Sequence, residues 1–299
     1  MAETIDLGGG VHVLRGAVNG GLVETASGLI AIDTGLDRGA ANRAVRAAEE
    51  IGRPLVAILN THAHADHHGG NAQLVRKLGI PVYAPAVEEA VIREPRYEPL
   101  YLYGGAAPVS GLVSKFLQAE PSPVDHVVRP GGPVEIDGRA LELVDLAGHS
   151  LAQVGVRAGE VLFAADGFFG RESIEKHGVP YLVDAGQWIV TLRRLREMEA
   201  AWMVPGHGEP LDDARETIDL NLAVLERAMG WLLDRIRRAP AGGEDLLVDF
   251  AAALGMRIAD PPSYVLNRAT MLGCLSSLER AGEIRVSVEG GRWTWVADG

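Results

Sequence analysis

Between Thr61 and Asn71 the chain reads Thr-His-Ala-His-Ala-Asp-His-His-Gly-Gly-Asn, and four side chains able to ligate a metal fall within the six residues from His62 to His67. The pattern is H-x-H-x-D-H. On an extended segment alternate side chains share a face, so His62, His64 and Asp66 can converge on one point. His67 would point away if the strand continued. The chain must therefore turn there, into a helix opening near Asp66, where an acidic side chain suits the positive end of the helix dipole. The apolar run before it, Leu55-Val56-Ala57-Ile58-Leu59, reads as a buried strand. The four residues then sit just past a strand's carboxyl end, where α/β sheets place their sites. Imidazole and carboxylate are the donors that a borderline divalent cation takes.

The rest of the chain supplies strands and helices to build such a sheet. A β-meander is expected over residues 11–14, 21–25 and 28–33, closing at Asp33-Thr34-Gly35. Asp33 is either a turn former or an acceptor that orients a ligand. Residues 37–51 read as an amphipathic helix with Ala40, Ala44, Val45, Ala48 and Ile51 on one face. A helix over 73–78 stops at Gly79, and a short strand follows at 81–84. Residues 86–122 break the alternation and read as a helical or loop insertion beside the site's mouth. Its Tyr97, Tyr101 and Tyr103 either pack the insertion onto the core or supply a pocket wall or oxyanion donor. Strands return at 138–146, 154–156, 161–164 and 201–204, with a helix at 187–198. Three of these strands run into a ligand-type residue beside glycine: Gly148-His149, Asp166-Gly167 and Gly206-His207-Gly208.

An H-x-H-x-D-H followed in order by such a His, Asp and His resembles the dinuclear branch of the metallo-β-lactamase superfamily of hydrolases, with a glyoxalase II-like set of residues. The resemblance covers about residues 8–215. It implies an α/β fold, a four-layer αβ/βα sandwich with metals at one edge of two facing sheets. It also implies that His62, His64 and His149 hold one metal, that Asp66, His67 and His207 hold the second, and that Asp166 bridges them. Two divalent cations follow, zinc by default, with iron or manganese compatible with the same donors. Such a pair can share a bridging hydroxide near neutral pH and polarise the electrophile. Asp66 would then be catalytic as well as a ligand, orienting the nucleophile or carrying its proton. No G-x-S-x-G is present and Cys274 is remote from the motifs, so no activated Ser or Cys is expected.

Residue identity narrows the reading within the resemblance. His64 in place of glutamate argues against the di-iron flavoprotein branch. The presence of both Asp66 and His67 argues against mononuclear iron dioxygenases. Asp166 in place of cysteine points to thioesterases, lactonases and phosphodiesterases. The expected function is hydrolysis of a small-molecule ester, thioester, lactone or amide, the alternative being a phosphodiesterase or ribonuclease. Tyr103, Phe168 and His177 are the candidate substrate-facing residues, the last within a loop after Asp166. His12 reads as structural, His68 is not counted as a ligand, and His126 falls in an expected loop.

Composition sets the partners. The net charge of −12 disfavours a nonspecific nucleic-acid binder while leaving room for a local basic patch. A single cysteine allows no internal disulfide. No apolar run reaches the length of a membrane span, and the N-terminal residues lack the pattern of a signal peptide, so a cytoplasmic protein is expected. The expected division is a catalytic domain over 1–215 and a small helical, winged-helix-like domain over 216–299. The latter has helices at 211–238, 244–254 and 262–281 and a hairpin over 283–296. Residues 217–299 carry 9 Arg against 11 Asp or Glu, which favours an interface or packing role over DNA binding. A homo-oligomer is compatible with the sequence.

Overall fold

The computed structural model describes residues 4–298. Strands β1 (Thr4–Asp6), β2 (Val11–Leu14), β3 (Gly20–Glu24) and β4 (Leu29–Ile32) form the antiparallel meander. Every residue of β2 and β4 is buried, so these strands are covered on both faces. Helix α1 (Arg38–Ile51) follows, its N-terminus capped by the Asp37 side chain and its C-terminus closed by Gly52 in the left-handed conformation. The alanines on its buried face let its backbone lie close to the sheet. Strand β5 (Leu55–Leu59) runs parallel to β4.

The metal-type stretch then opens α2 (Ala65–His68), and α3 (Asn71–Leu78) follows. The expected continuous turn into one helix is thus two short helices. The join is forced by close approach: a Cβ on Gly69 would lie 2.0 Å from the Leu36 carbonyl oxygen, and one on Gly70 would lie 2.6 Å from that of Thr34. Strand β6 (Val82–Pro85) pairs parallel to β5. The insertion contains α4 (Glu88–Arg93), α5 (Tyr97–Leu102) and a 3-10 turn at Ser110–Leu112. Strand β7 (His126–Val128) completes a seven-stranded sheet in simple sequence order. His126, expected in a loop, lies on this edge strand. Its ring stacks on Tyr83 at 4.3 Å, and that cross-strand pair fixes the register.

The second sheet has the order β12-β11-β10-β9-β8. It is built from β8 (Pro133–Ile136), β9 (Arg139–Asp145), β10 (Val154–Ala158), β11 (Val161–Ala165) and β12 (Trp202–Pro205). Helices α6 (Arg171–His177) and α7 (Ala185–Glu197) lie between β11 and β12. Val13, Ile30 and Leu59 of the first sheet pack with Leu143, Val156 and Phe163 of the second in one apolar layer. Leu22, Ile58 and Leu74 pack with the α1 alanines on the outer face of the first sheet. Leu162, Ala164, Trp188 and Leu225 do the same for the second. The order of layers is therefore helix, sheet, sheet, helix.

The tail has α8 (Arg215–Arg238), β13 (Ala241–Gly242), α9 (Gly243–Leu254), α10 (Pro261–Arg280), β14 (Ile284–Glu289) and β15 (Arg292–Ala297), with a small sheet ordered β13-β15-β14. Helix α8 starts four residues later than the sequence pattern suggests, because the Leu211 backbone exchanges two hydrogen bonds with Met203 beside β12. The apolar face of α8 and the tail residues Phe250, Met271 and Leu275 share one core with Trp188 and Leu192 of α7. Arg268 and Arg280, the cations of α10, are engaged within the chain by Glu244 and Asp184. Among the described residues, no helix is long and apolar enough to cross a membrane.

Candidate metal centre

Five strand ends meet at one edge of the two sheets. Strand β4 delivers Asp33, β5 delivers His62 to His67, β9 delivers His149, β11 delivers Asp166 and β12 delivers His207. Strands β4 and β5 are parallel, as are β11 and β12, and β9 points the same way as β11 because both are antiparallel to β10. Seven side chains separated by up to 145 positions thereby converge. Donor atoms of His62, His64, His149 and Asp166 lie within 4.8 Å of one another, and so do those of Asp66, His67 and His207. Asp166 stands between the two groups: its carboxylate is 3.2 Å from His149 Nε2, 3.4 Å from His67 Nε2 and 3.6 Å from His207 Nε2. His207 Nε2 is also 3.4 Å from Asp66.

The ring nitrogens on the far side of four imidazoles are fixed by the protein. His149 Nδ1 is 2.8 Å from the Tyr181 carbonyl and His207 Nδ1 is 3.0 Å from that of Ala17. A carbonyl only accepts, so each Nδ1 carries a proton, and each Nε2 would offer its lone pair to a bound cation. His67 Nδ1 donates to Asp33 at 2.8 Å in the same way. The Thr61 hydroxyl donates to Asp33 and so accepts from His62 Nδ1, 3.0 Å away. His64 is reversed and presents Nδ1, 2.8 Å from His149 Nε2. Asp33 is thus the orienting acceptor, not merely a turn residue, and it holds this position with a φ of 55°. Ala165, directly before Asp166, also lies at positive φ, 47°. Such backbone strain, of order 1–3 kcal/mol per residue, is tolerated where the surroundings over-determine the conformation.

The donor set fits divalent cations. His62 Nε2, His67 Nε2 and Asp166 Oδ1 are buried polar atoms with no hydrogen-bond partner, all aimed into the cluster. Burial, then the neighbouring His149, brings His64 down to about 3, so its imidazole is neutral. His62 is held low by burial and by His67 and His64. Burial opposes the charges on Asp66 and Asp166, but His207 and His67, which these carboxylates in turn push towards the protonated form, keep both carboxyls ionised. Gly206 makes the close approach possible, since a Cβ there would sit 2.1 Å from Asp166 Oδ1.

Residues 13–207 match the Metallo-beta-lactamase superfamily along 195 consecutive positions. The chain belongs to that superfamily. A hydroxyacylglutathione hydrolase from Rhodospirillum rubrum is 27% identical over 247 residues, covering 76% of this chain and 83% of the relative. A second one, from Methylobacillus flagellatus, is 28% identical over 137 residues, with 45% of this chain and 42% of the relative covered. A metallo-beta-lactamase family protein from Thermus thermophilus superposes with a TM-score of 0.77 at 20% identity, over 98% of this chain and 100% of the other. That likeness extends the shared fold through the tail. The metallo-β-lactamase sandwich and its enzyme class are thereby established for this protein, as the strand-end motifs suggested.

Beside the cluster of this superfamily member lies a cavity of about 470 Å³. His64, Asp66, His149, Asp166 and His207 form its floor, while His62 and His67 lie behind them, fully buried. Of the three substrate-facing candidates, His177 lines the cavity. Phe168 does not: it is completely buried in the core beneath the second sheet. Its neighbour Phe169 takes the wall instead and stacks on the His207 ring at 5.7 Å. Tyr103 is exposed at the end of α5 and is not part of the lining; Tyr181 is, and its ring meets those of His64 and His149 edge-on. His68 is buried but belongs to neither donor group. Unforeseen are Glu98 from α5, Lys176 from α6, and Arg257 and Asn267 from the tail. Only their nearness to expected elements could have hinted at them, since nothing in sequence joins α5 to α10.

Proposed function

We propose that the protein is a dinuclear metal-dependent hydrolase of a small-molecule acyl substrate, a thioester first, with an ester, lactone or amide as variants of the same chemistry. The observation that carries this reading is the cavity of about 470 Å³ ending on the seven converging donors. Its size suits a small ligand, and Phe169, Leu117, Val179 and Pro180 make part of its wall apolar. The relatives named hydroxyacylglutathione hydrolase support a thioester.

In this reading His62, His64 and His149 hold one cation, Asp66, His67 and His207 hold another, and Asp166 serves both. Zinc is the default occupant. Bound cations of this kind supply Lewis acidity toward the carbonyl and lower the pKa of water. The chain's own groups do the rest. The Nδ1–H donors of His62, His67, His149 and His207 hold the rings in one orientation. Asp66, partly open to the cavity, can hold a proton at its carboxylate beside His207. Phe169 and Tyr181 exclude water from one side. Lys176 and Arg257 suit an anionic group on the part of the substrate farthest from the reacting carbonyl.

The same cations are what favour a second reading, a phosphodiesterase or ribonuclease. The element order of residues 216–299 fits a winged-helix-like unit, but its α10 cations are already ion-paired and the net charge is −12. We therefore assign residues 1–215 the chemistry and the tail a packing role that also completes the cavity wall. The test is a rate comparison on metal-loaded protein with Asp66→Asn as blank. Carboxyl thioesters, esters and lactones form one arm; phosphodiesters and single-stranded RNA form the other. Turnover confined to the carboxyl arm is expected, and turnover confined to the phosphodiester arm would replace the proposal with the second reading.

A further inference from the structure

Among the described residues four carboxyl side chains are buried: Asp33, Glu88, Glu98 and Asp166. Two have donors from the chain, and the third lies in the metal-type cluster. Asp33 accepts from the Thr61 amide and hydroxyl and from His67. Glu88 accepts from the Ala63 and Ala152 amides and the Ser150 hydroxyl, and so ties the metal-type stretch to the turn after β9. Asp166 lies among three imidazoles. Glu98 differs. It is only 4% exposed, it lines the cavity, and among the described residues no hydrogen-bond donor or cation reaches its carboxyl.

A buried carboxyl without a partner is costly in either protonation state. Burial, reinforced by the charges of Asp66 and Glu88, pushes Glu98 well above the usual carboxylate range, as expected of an acid whose charge nothing offsets. The other polar groups close to it do not relieve this. Lys176 and Arg257, the cations of the cavity, form no ion pair with it. Its open side faces the space where substrate must sit. The aromatic ring of Tyr181 stands in the same lining, and such rings attract cations.

We propose that Glu98 is a specificity-determining residue that receives a protonated amino group on the acyl part of the substrate, which makes amine-bearing acyl compounds the preferred substrate class. The carbonyl would lie at the metal-type cluster and the ammonium at the α5 wall. This deepens the small-molecule hydrolase reading and rests on it for the word substrate, but the recognition itself can be measured without turnover.

The first measurement is isothermal titration calorimetry of β-alaninamide and of propionamide into full-length, metal-loaded protein. The two ligands differ by one ammonium group. β-Alaninamide is expected to bind at least about tenfold more tightly. Glu98→Gln should erase that difference and leave propionamide binding unchanged. Equal affinities in the wild-type protein, no detectable β-alaninamide binding, or a difference that survives Glu98→Gln would each overturn the assignment. The wild-type comparison can overturn the assignment even if the variant fails to fold.

The second measurement uses the N-acetylcysteamine thioesters of β-alanine and propionate. A KM at least about tenfold lower for the β-alanyl compound, with similar kcat, is expected, and Glu98→Gln should raise only that KM. Turnover of both with equal KM overturns the role of Glu98. Turnover of neither, with the difference between the amides intact, removes the thioesterase reading and leaves the ammonium site standing.

Discussion

The floor and the outer wall of the cavity are made in opposite ways. On the floor and just behind it, seven donors follow the ends of β5, β9, β11 and β12, on a sheet that fixes the backbone leading to them. Their rings are held a second time, by Asp33, Thr61 and the carbonyls of Ala17 and Tyr181. The outer wall is drawn from α5, α6 and the start of α10, from three parts of the chain joined only by side-chain packing of the kind seen between Leu102, Leu117 and Val265. Its cations, Lys176 and Arg257, have no such support. The contrast suggests a division of labour in which the sheet edge carries the reaction and the helical wall carries substrate choice, which follows the general tendency of specificity to reside in elements outside the rigid scaffold.

The sharpest way to break this contrast is to remove a donor from the floor. His64→Ala or Asp166→Ala should lower metal content and cut hydrolysis by on the order of a thousandfold or more, while leaving the fold largely intact. Elemental analysis showing full metal occupancy in either variant would undo the ligand assignment. A smaller effect is expected one step back. Asp33→Asn keeps the size of the side chain but weakens its hold on His67, so metal affinity should fall by roughly 10- to 100-fold in a chelator competition. Unchanged affinity would mean that the sheet alone orients His67.

The smallest effect belongs to the outer wall. Lys176→Gln and Arg257→Gln should each raise KM by a few fold for thioesters whose thiol part carries a carboxylate, with kcat and metal content unchanged, since removing a partly exposed charge contact costs about 1 kcal/mol or less. A large drop in kcat from either variant would mean that the helical wall takes part in the reaction itself.

The legibility of the site follows the same contrast. The ligand-type residues could be read because each stands beside a glycine or in a tight histidine cluster immediately after an apolar strand, a local pattern with few other uses. Asp33 was legible as one of two alternatives, and the hydrogen bonds to Thr61 and His67 decided between them. The choice of Phe168 over Phe169 could not be made by inspection. Both follow Asp166, and only the turn after β11, with Ala165 at positive φ, sends the first ring into the core and the second into the cavity. Glu98 gave no signal either, because a glutamate in a short helix is ordinarily solvated, and its burial results from packing against remote residues.

By itself, then, the sequence determined which ligand-type residues stand at the sheet edge, the superfamily, and the alternation of strands and helices. Those features depend on periodicity, on turn residues and on donor types, all of which act over a few positions. Only the tertiary structure decided that residues 216–299 share a core with α7, that Arg257 and Asn267 reach the cavity, and that the Glu98 carboxyl faces it away from the metal-type cluster with no donor or cation beside it. These depend on which surfaces meet across a hundred or more residues, and burial and desolvation are properties of that meeting rather than of any local stretch of chain.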